Sequence, residues 1–226
     1  MPTEVIITKD GSHSIAIPEL NVTYHSHHGA IQESMHVFIQ AGLEYLVQQA
    51  ATSPVRIFEM GLGTGLNSLL AMQYAELHQL PIKYEAVELH PLADELVQQL
   101  NYCTEIDESL APAFATLHQS PWQQPIALTP YFNFTKHRLS LHDFAFNNPF
   151  HLVFYDAFAP AAQPDLWTTE VFTKIYNGLL PGGIFVTYCS KGDVRRALQA
   201  AGFIIEKIPG PPGKREMIRA IKTEKV

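Results

Sequence analysis

The chain has 226 residues, 46% of them hydrophobic and 16% charged, which suits one large domain or a domain with a small cap. It contains no run of about 18 apolar residues that could span a membrane, and its start, MPTEVIITKDGS, lacks the basic-then-apolar pattern of a secretory leader. A net charge of −7 speaks against a generic nucleic-acid binder, and two cysteines without motif spacing read as reduced thiols of a cytoplasmic protein rather than a disulfide framework.

In chain order, VIITKDGSHSIAI carries a D-G turn between β-rich runs and predicts a hairpin within residues 1–30. His25, His27 and His28 cluster there, but without further ligands at metal spacing they are expected in an exposed loop, and no metal site is expected. ESMHVFIQAGLEYLVQQA predicts a helix with Met35, Phe38, Ile39, Leu43, Leu46 and Val47 on one face. Residues 1–45 are read as an N-terminal extension or cap, and 46–226 as the main domain. Val55 to Met60 predicts a buried strand, Leu66 to Leu80 a helix with Leu66, Leu69, Leu70 and Leu77 on one face. IKYEAVELH predicts a second strand ending in Glu88, followed by a helix over 91–101. Residues 103–135 are poorly patterned and expected to be an insertion with short helices. HRLSLHDF predicts a third strand ending at Asp143, and FHLVFYDAFAP a fourth ending at Asp156. A helix from Trp167, a strand GGIFVTYCS, a helix DVRRALQAAGF and two closing strands, FIIEKI and EMIRAIK, complete the chain. Alternating strands and helices indicate an α/β fold with a mostly parallel sheet. The closing pair adds an antiparallel edge, for seven strands in all.

The segment RIFEMGLGTGLN places three glycines in a strand-to-helix turn, where α/β sheets bind nucleotides. The spacing is wrong for a dinucleotide fingerprint, because Gly65 comes one residue early, and no lysine follows for a P-loop. An acid, one spacer and G-x-G-x-G (Glu59, Gly61, Gly63, Gly65) instead resembles the first motif of Rossmann-like S-adenosylmethionine methyltransferases. That ligand has no phosphate, so Glu59 could hold its ammonium group directly or through water. Asn67, in the first helical turn, is a further candidate contact. Glu88, at the end of strand two, suits ribose hydroxyls. Asp143 suits the adenine amino group. Asp156 emerges from an apolar strand into VFYDAFAPAAQPDLW and is placed to meet a methyl acceptor. An alkylamine with a pKa of about 10.4 is mostly protonated at neutral pH, and a carboxylate can accept its proton or orient its lone pair.

VFIQAGL, FEMGLGTGLN, VELHPL, DAFAPAAQPDLWTTEVF, LLPGGIFVTYCSKGDVRRALQAAGF and GPPGKREMIRA together resemble the tRNA 5-methylaminomethyl-2-thiouridine methyltransferase family. This is the methyltransferase module of the bifunctional wobble-uridine enzyme MnmC and its stand-alone relatives. The similarity runs from about residue 22 to 220 and is weakest over 102–140. It implies methyl transfer from S-adenosylmethionine to the amino nitrogen of 5-aminomethyl(-2-thio)uridine at the wobble position, with the tRNA anticodon loop as partner. It implies Asp156 as the catalytic or amine-binding carboxylate, Glu88 on the ribose, Gly61, Gly63 and Gly65 in the cofactor loop, and Asp143 by the adenine. GAIQES resembles the family's G-L-x-E-T stretch over the cofactor, matching Glu33 and Ser34 across one extra residue. No fused flavin oxidase is expected before the chain ends at Val226.

Charge is divided along the chain. Residues 1–173 carry a net −13 and residues 174–226 a net +6. Arg195, Arg196, Lys214 and Arg215 are therefore candidates for tRNA phosphates. Phe158 and Pro160 are candidates for the substrate base, while Trp167 is expected in the core. Two other readings stay open: a small-molecule amine methyltransferase, and a module that binds S-adenosylmethionine or RNA without turnover.

Overall fold

The computed structural model describes residues 3–49 and 53–223. Strands β1 (Glu4–Ile7) and β2 (His13–Ile17) form the hairpin expected around Asp10–Gly11, and β3 (Val22–Thr23) pairs with β2 to complete a small antiparallel sheet. Asp10 ties this sheet to the first helix: its carboxylate accepts from Ser12 N at 3.1 Å and Gln32 N at 3.0 Å.

The next helical stretch runs through α1 (Ala30–Ser34), a wide-turned π segment (Met35–Glu44) and α2 (Tyr45–Gln49). Its buried residues include Val37, Phe38, Ile39, Leu43 and Leu46, which form its core-facing side. Gly42 lets it lie close to the main sheet, since a Cβ there would stand 3.1 Å from Val186 Cγ2 and 3.3 Å from Phe154 Cε1. The boundary drawn at residues 45/46 falls inside this continuous stretch, so only the small sheet ahead of it stands apart from the main layer.

The main sheet contains β4 (Val55–Met60), β5 (Ile82–Val87), β6 (Ile126–Thr129), β7 (Phe132–His137), β8 (Phe150–Tyr155), β9 (Leu179–Thr187), β10 (Ile204–Pro209) and β11 (Glu216–Ile221). Its order is β10-β11-β9-β8-β4-β5-β7-β6. The central strands β7, β5, β4, β8 and β9 are parallel, β6 and β11 run against them, and β10 pairs antiparallel with β11 at the other edge. To the seven strands expected, the structure adds β6 at the edge. Helix α3 (Leu66–His78) and the N-terminal helical stretch cover one face, over Ile57, Leu152, Phe154 and Val186. Helices α7 (Thr169–Gly178) and α8 (Gly192–Ala200) lie on the other, over Phe58, Val153 and Phe185. Among the described residues no helix is long and apolar enough to cross a membrane.

Phe154 lies at the centre of the first face, fully buried, with its ring 5.2 Å from that of Phe38 and 6.1 Å from that of Tyr84. Phe154→Ala should lower stability by about 3–5 kcal/mol, read as a lower urea midpoint at unchanged slope.

Three expectations are corrected. The third strand is Phe132–His137, not HRLSLHDF: Phe132, Phe134 and Lys136 alternate inward, and the segment pairs in parallel register with Ile82–Val87. The helix expected over 91–101 shrinks to α4 (Asp94–Val97), because Pro91 and Leu92 line a cleft at the strand tips in a non-helical loop. Leu77, expected on the buried face of α3, is 73% exposed, because burial of this helix is concentrated from Leu66 to Ala75.

Candidate active site

Parallel register aligns three strand tips. Met60 pairs with Val87 on one side and Tyr155 on the other, so Gly61, Glu88 and Asp156 form the next row beyond the sheet. Backbone hydrogen bonds continue into that row, from Gly61 N to Val87 O (3.1 Å) and from Asp156 N to Met60 O (3.0 Å). Gly61 has φ +88, and a Cβ on it would lie 2.9 Å from the Asp156 carbonyl oxygen, so only glycine fits between these strands.

A cleft of about 640 Å³ opens above this row. Its wall includes Gly61–Thr64, Asn67, Glu88–Ala93, Leu139–Leu141 and Asp156–Phe158, with Tyr24 and His25 from the N-terminal extension. Its carboxylates are Glu88, Asp156 and Asp165, and among the described residues it has no lysine or arginine in its lining. That lining disfavours a phosphate-bearing nucleotide and suits a cationic ligand.

Strand alternation puts Glu59 and Asp156 on the face covered by α3, and Asn67 in the first turn of α3 bridges them. Its Nδ2 donates to Glu59 Oε1 at 3.0 Å and to Asp156 Oδ2 at 2.8 Å. Ser68 Oγ donates to the other oxygen of Glu59 at 2.9 Å. Burial pushes the Glu59 carboxyl up to about 8, with the charge of Asp156 adding to the rise and the Asn67 hydrogen bond opposing it. Burial likewise pushes Asp156 up to about 7; the Asn67 hydrogen bond and Lys214 oppose the rise, and Glu33 adds to it.

Glu88 accepts from Gly63 N at 3.0 Å and His90 N at 2.8 Å, which fixes its carboxylate against the glycine turn. Tyr24 lies over Gly63, where a Cβ would meet its ring at 2.9 Å, and packs edge-on against Phe158 at 5.1 Å. Gly65, φ +76, starts α3, with His118 Nε2 behind it.

The candidate residues divide on this geometry. Gly61, Gly63, Asn67, Glu88, Asp156 and Phe158 gather at the cleft, and Gly65 supports the turn from behind. Glu59 is fully buried below the turn, as the strand alternation that hides Val55 and Ile57 requires, and it anchors Asn67 instead of facing the cleft. Asp143 is exposed beyond the turn after β7, beside Glu170 and Lys174, while Ser140 occupies the cleft wall. Glu33 and Ser34 are buried outside the cleft lining, and Glu33 pairs with Lys214 at 2.6 Å. Pro160 lies in the turn beyond Phe158, outside the lining. Trp167 is in the core, as expected, and its Nε1 donates to Phe158 O at 2.8 Å. Arg196 pairs with Asp193 on the exposed side of α8, and Arg215 is exposed.

His27 and His28 are exposed, but His25 is not: it is 7% exposed, 3.2 Å from Ser14 Oγ, and burial pulls its imidazole down to about 4. Sequence reasoning missed Tyr24 and His25 as cleft residues. Both come from the extension, and only the long-range packing of the small sheet brings them there. Among the described residues no group of three or more His, Cys, Asp or Glu is arranged to hold a metal ion.

Residues 111–223 match the family model of the S-adenosyl-L-methionine-dependent methyltransferases. The chain belongs to this family. The methyltransferase is also similar to the tRNA 5-methylaminomethyl-2-thiouridine biosynthesis bifunctional proteins MnmC of Burkholderia mallei (strain SAVP1) and Burkholderia multivorans. With the first it shares 30% identity over 240 residues, covering 96% of this chain and 35% of the relative; with the second, 31% over 236 residues, covering 96% and 34%. The methyltransferase thus spans about a third of the length of these curated relatives. Among solved structures it resembles MNMC2 from Aquifex aeolicus, with a TM-score of 0.77 at 24% identity over 100% of this chain and 72% of that one. The fold is shared with the CMeT domain of the citrinin polyketide synthase, with a TM-score of 0.50 at 16% identity over 81% and 51%.

The donor set fits the cofactor. Asn67 spends both Nδ2 protons on the two carboxylates, and its buried Oδ1 has no partner among the described residues. Glu88 and Asp156 give the cleft lining carboxylate acceptors, and the ammonium and ribose hydroxyls of S-adenosylmethionine are donors. Glu88→Ala should weaken cofactor binding by roughly tenfold to a hundredfold, measured by calorimetry, because charged hydrogen bonds contribute about 1.5–3 kcal/mol.

Proposed function

We propose that this methyltransferase acts in the cytoplasm on tRNA, methylating the amino nitrogen of 5-aminomethyl(-2-thio)uridine at the wobble position. The observation that carries the reading is Asp156: a carboxylate at the tip of β8, on the cleft wall, steered by Asn67 and followed by the aromatic ring of Phe158. The MnmC relatives, which match along nearly the whole of this chain, support the choice of substrate.

When bound, S-adenosylmethionine supplies an electrophilic methyl group on a positively charged sulfur. The chain's part is to present a neutral nitrogen in line with it. Asp156 accepts an N–H of the amine and so aims the lone pair away from itself. It then takes up the proton that the nitrogen loses on gaining a carbon. A carboxyl near 7 is matched to this exchange at neutral pH. Alignment supplies much of the acceleration. The wobble base is unpaired, so it enters the cleft without breaking a duplex pair, and Phe158 and Tyr24 offer aromatic surface at the opening. Arg195 and the exposed Arg215, which both act on Glu216, mark a basic surface for phosphates.

A second reading, methylation of a small free amine, is favoured by the cleft's carboxylates and by the lack of lysine or arginine among the described lining residues. Labelled S-adenosylmethionine and tRNA from cells lacking the modification separate the two. Label in methylaminomethyluridine after nucleoside digestion supports the tRNA reading. Label on free amines alone supports the other.

A further inference from the structure

A fully buried carboxyl on a central strand costs stability that an apolar residue there would not. Glu59 is such a group. It sits on β4 between Ala86 of β5 and Phe154 of β8, where Val55 and Ile57 on the same face are packed hydrocarbons. Both of its oxygens are used, Oε1 by Asn67 Nδ2 at 3.0 Å and Oε2 by Ser68 Oγ at 2.9 Å. Asn67 is buried, and its own oxygen, Oδ1, takes no hydrogen bond among the described residues. The amide is therefore directed by its two N–H bonds alone, one to Glu59 and one to Asp156 Oδ2 at 2.8 Å. Asp156 lines the cleft, and its other oxygen, Oδ1, accepts no hydrogen bond among the described residues. One oxygen of the cleft carboxylate is thus clamped, and the other is left for a ligand.

We propose that Glu59 is a positioning residue: acting through Asn67, it clamps Oδ2 of Asp156 and so assigns Oδ1 to the N–H of the incoming amine. The inference rests on the proposed amine transfer. A single hydrogen bond to Asp156 would let the amide swing about its side chain. The second bond, to a group fixed in the sheet, gives it one plane and one direction. With an N–H facing Oδ2 throughout, that oxygen stays an acceptor, and the proton shed by the nitrogen as it gains the methyl carbon lands on Oδ1. Glu59 needs only an acceptor oxygen for this. Burial pushes its carboxyl up to about 8, so near neutral pH the uncharged acid, with its hydroxyl turned to Ser68 Oγ, holds the amide in the same way.

The test compares Glu59→Gln, which keeps the acceptor, with Glu59→Leu, which removes it at similar volume and suits the apolar face. Glu59→Met, a more adaptable apolar replacement, gives the same comparison should leucine overpack the strand. Cofactor binding by calorimetry and single-turnover transfer to hypomodified tRNA are measured for each variant, alone and combined with Asp156→Asn. Glu59→Leu should bind S-adenosylmethionine close to wild type while transfer falls by about 10–100-fold, because a small misplacement of an aligned group has effects of that size. Glu59→Gln should restore transfer to near the wild-type rate. In the Asp156→Asn background Glu59→Leu should lower the rate no further, because its effect runs through the carboxylate already removed. Equal losses in Glu59→Gln and Glu59→Leu, an unchanged rate in Glu59→Leu, or a further loss beside Asp156→Asn would each overturn the proposal. Nitrogen-15 spectra give a reading independent of turnover: the Asn67 side-chain protons should exchange slowly in wild type and Glu59→Gln and rapidly in Glu59→Leu. That pattern without transfer by wild type to tRNA or to any amine would overturn the amine-transfer reading and leave the clamp on Asp156 standing.

Discussion

Replacing Asp156 with alanine should leave cofactor binding near wild type while methyl transfer falls by about 10²–10⁴-fold, the usual contribution of a positioned acid or base. Glu88 and the glycine turn, as the proposed cofactor contacts, would remain in place without it, so calorimetry and single-turnover transfer should separate cleanly. Asp156→Asn adds a pH argument. The folded-state carboxyl stands at about 7 against an ordinary value of 3.8, so the native state holds a proton that the unfolded chain releases. Its ionisation therefore lowers native stability as pH rises through that window, and the effect is absent below the unfolded value. Asp156→Asn, which keeps an acceptor for Asn67, should thus melt higher than wild type above pH 7, and that gain should fade towards pH 4. Over the same range wild-type transfer should rise with ionisation of Asp156, and the variant should lack that limb. Enhanced alkaline stability with lost turnover is hard to obtain from a residue that merely packs.

The second large effect is expected at Gly61. With φ +88 and the Asp156 carbonyl oxygen 2.9 Å from the site of any Cβ, Gly61→Val combines an unfavourable backbone conformation with a clash against a neighbouring strand. A strain on the order of 3 kcal/mol would appear as roughly hundredfold weaker cofactor binding if the strands part locally, since each 1.4 kcal/mol is tenfold. Because the atom met is backbone of the residue carrying the carboxylate, transfer measured at saturating cofactor should fall as well. Glu88→Ala should affect binding more than turnover. This contrast distinguishes a row of strand tips that acts as one unit from three independent contacts.

Much of this arrangement was legible in the residues. Strands β4, β5 and β8 are apolar runs that end where the chemistry begins, and the G-x-G-x-G turn announces both its location and a ligand without phosphate. The asparagine two residues after Gly65 stood out as a candidate; its bridge between two carboxylates did not, because that requires β4 and β8 to be neighbours in register. Glu59 was partly legible: it shares strand parity with Val55 and Ile57, whose burial directs it inward, but β4 is covered on both faces and hides the alternation. The third strand was misplaced because FNFTKH lies in a segment whose prolines and short helices mask its aromatic alternation, and Asp143 was displaced with it. His25 could not be separated from His27 and His28 by local sequence. Its burial depends on Ser14 and Tyr102, which lie 11 and 77 positions away. Lys214 and Glu33 stand 181 positions apart, and no local pattern pairs them.

The central claim is geometric: the carboxylate at the tip of β8 faces the transferred group. A crystal structure with sinefungin, which carries an amine where S-adenosylmethionine carries its methyl sulfonium, tests it directly. The account predicts the analogue on the Gly61–Gly65 turn, its ribose on Glu88, and its extra amine within hydrogen-bond reach of the Asp156 carboxylate. An analogue bound with that amine turned away from Asp156, or with the Asp156 side chain swung out of the cleft, would contradict it.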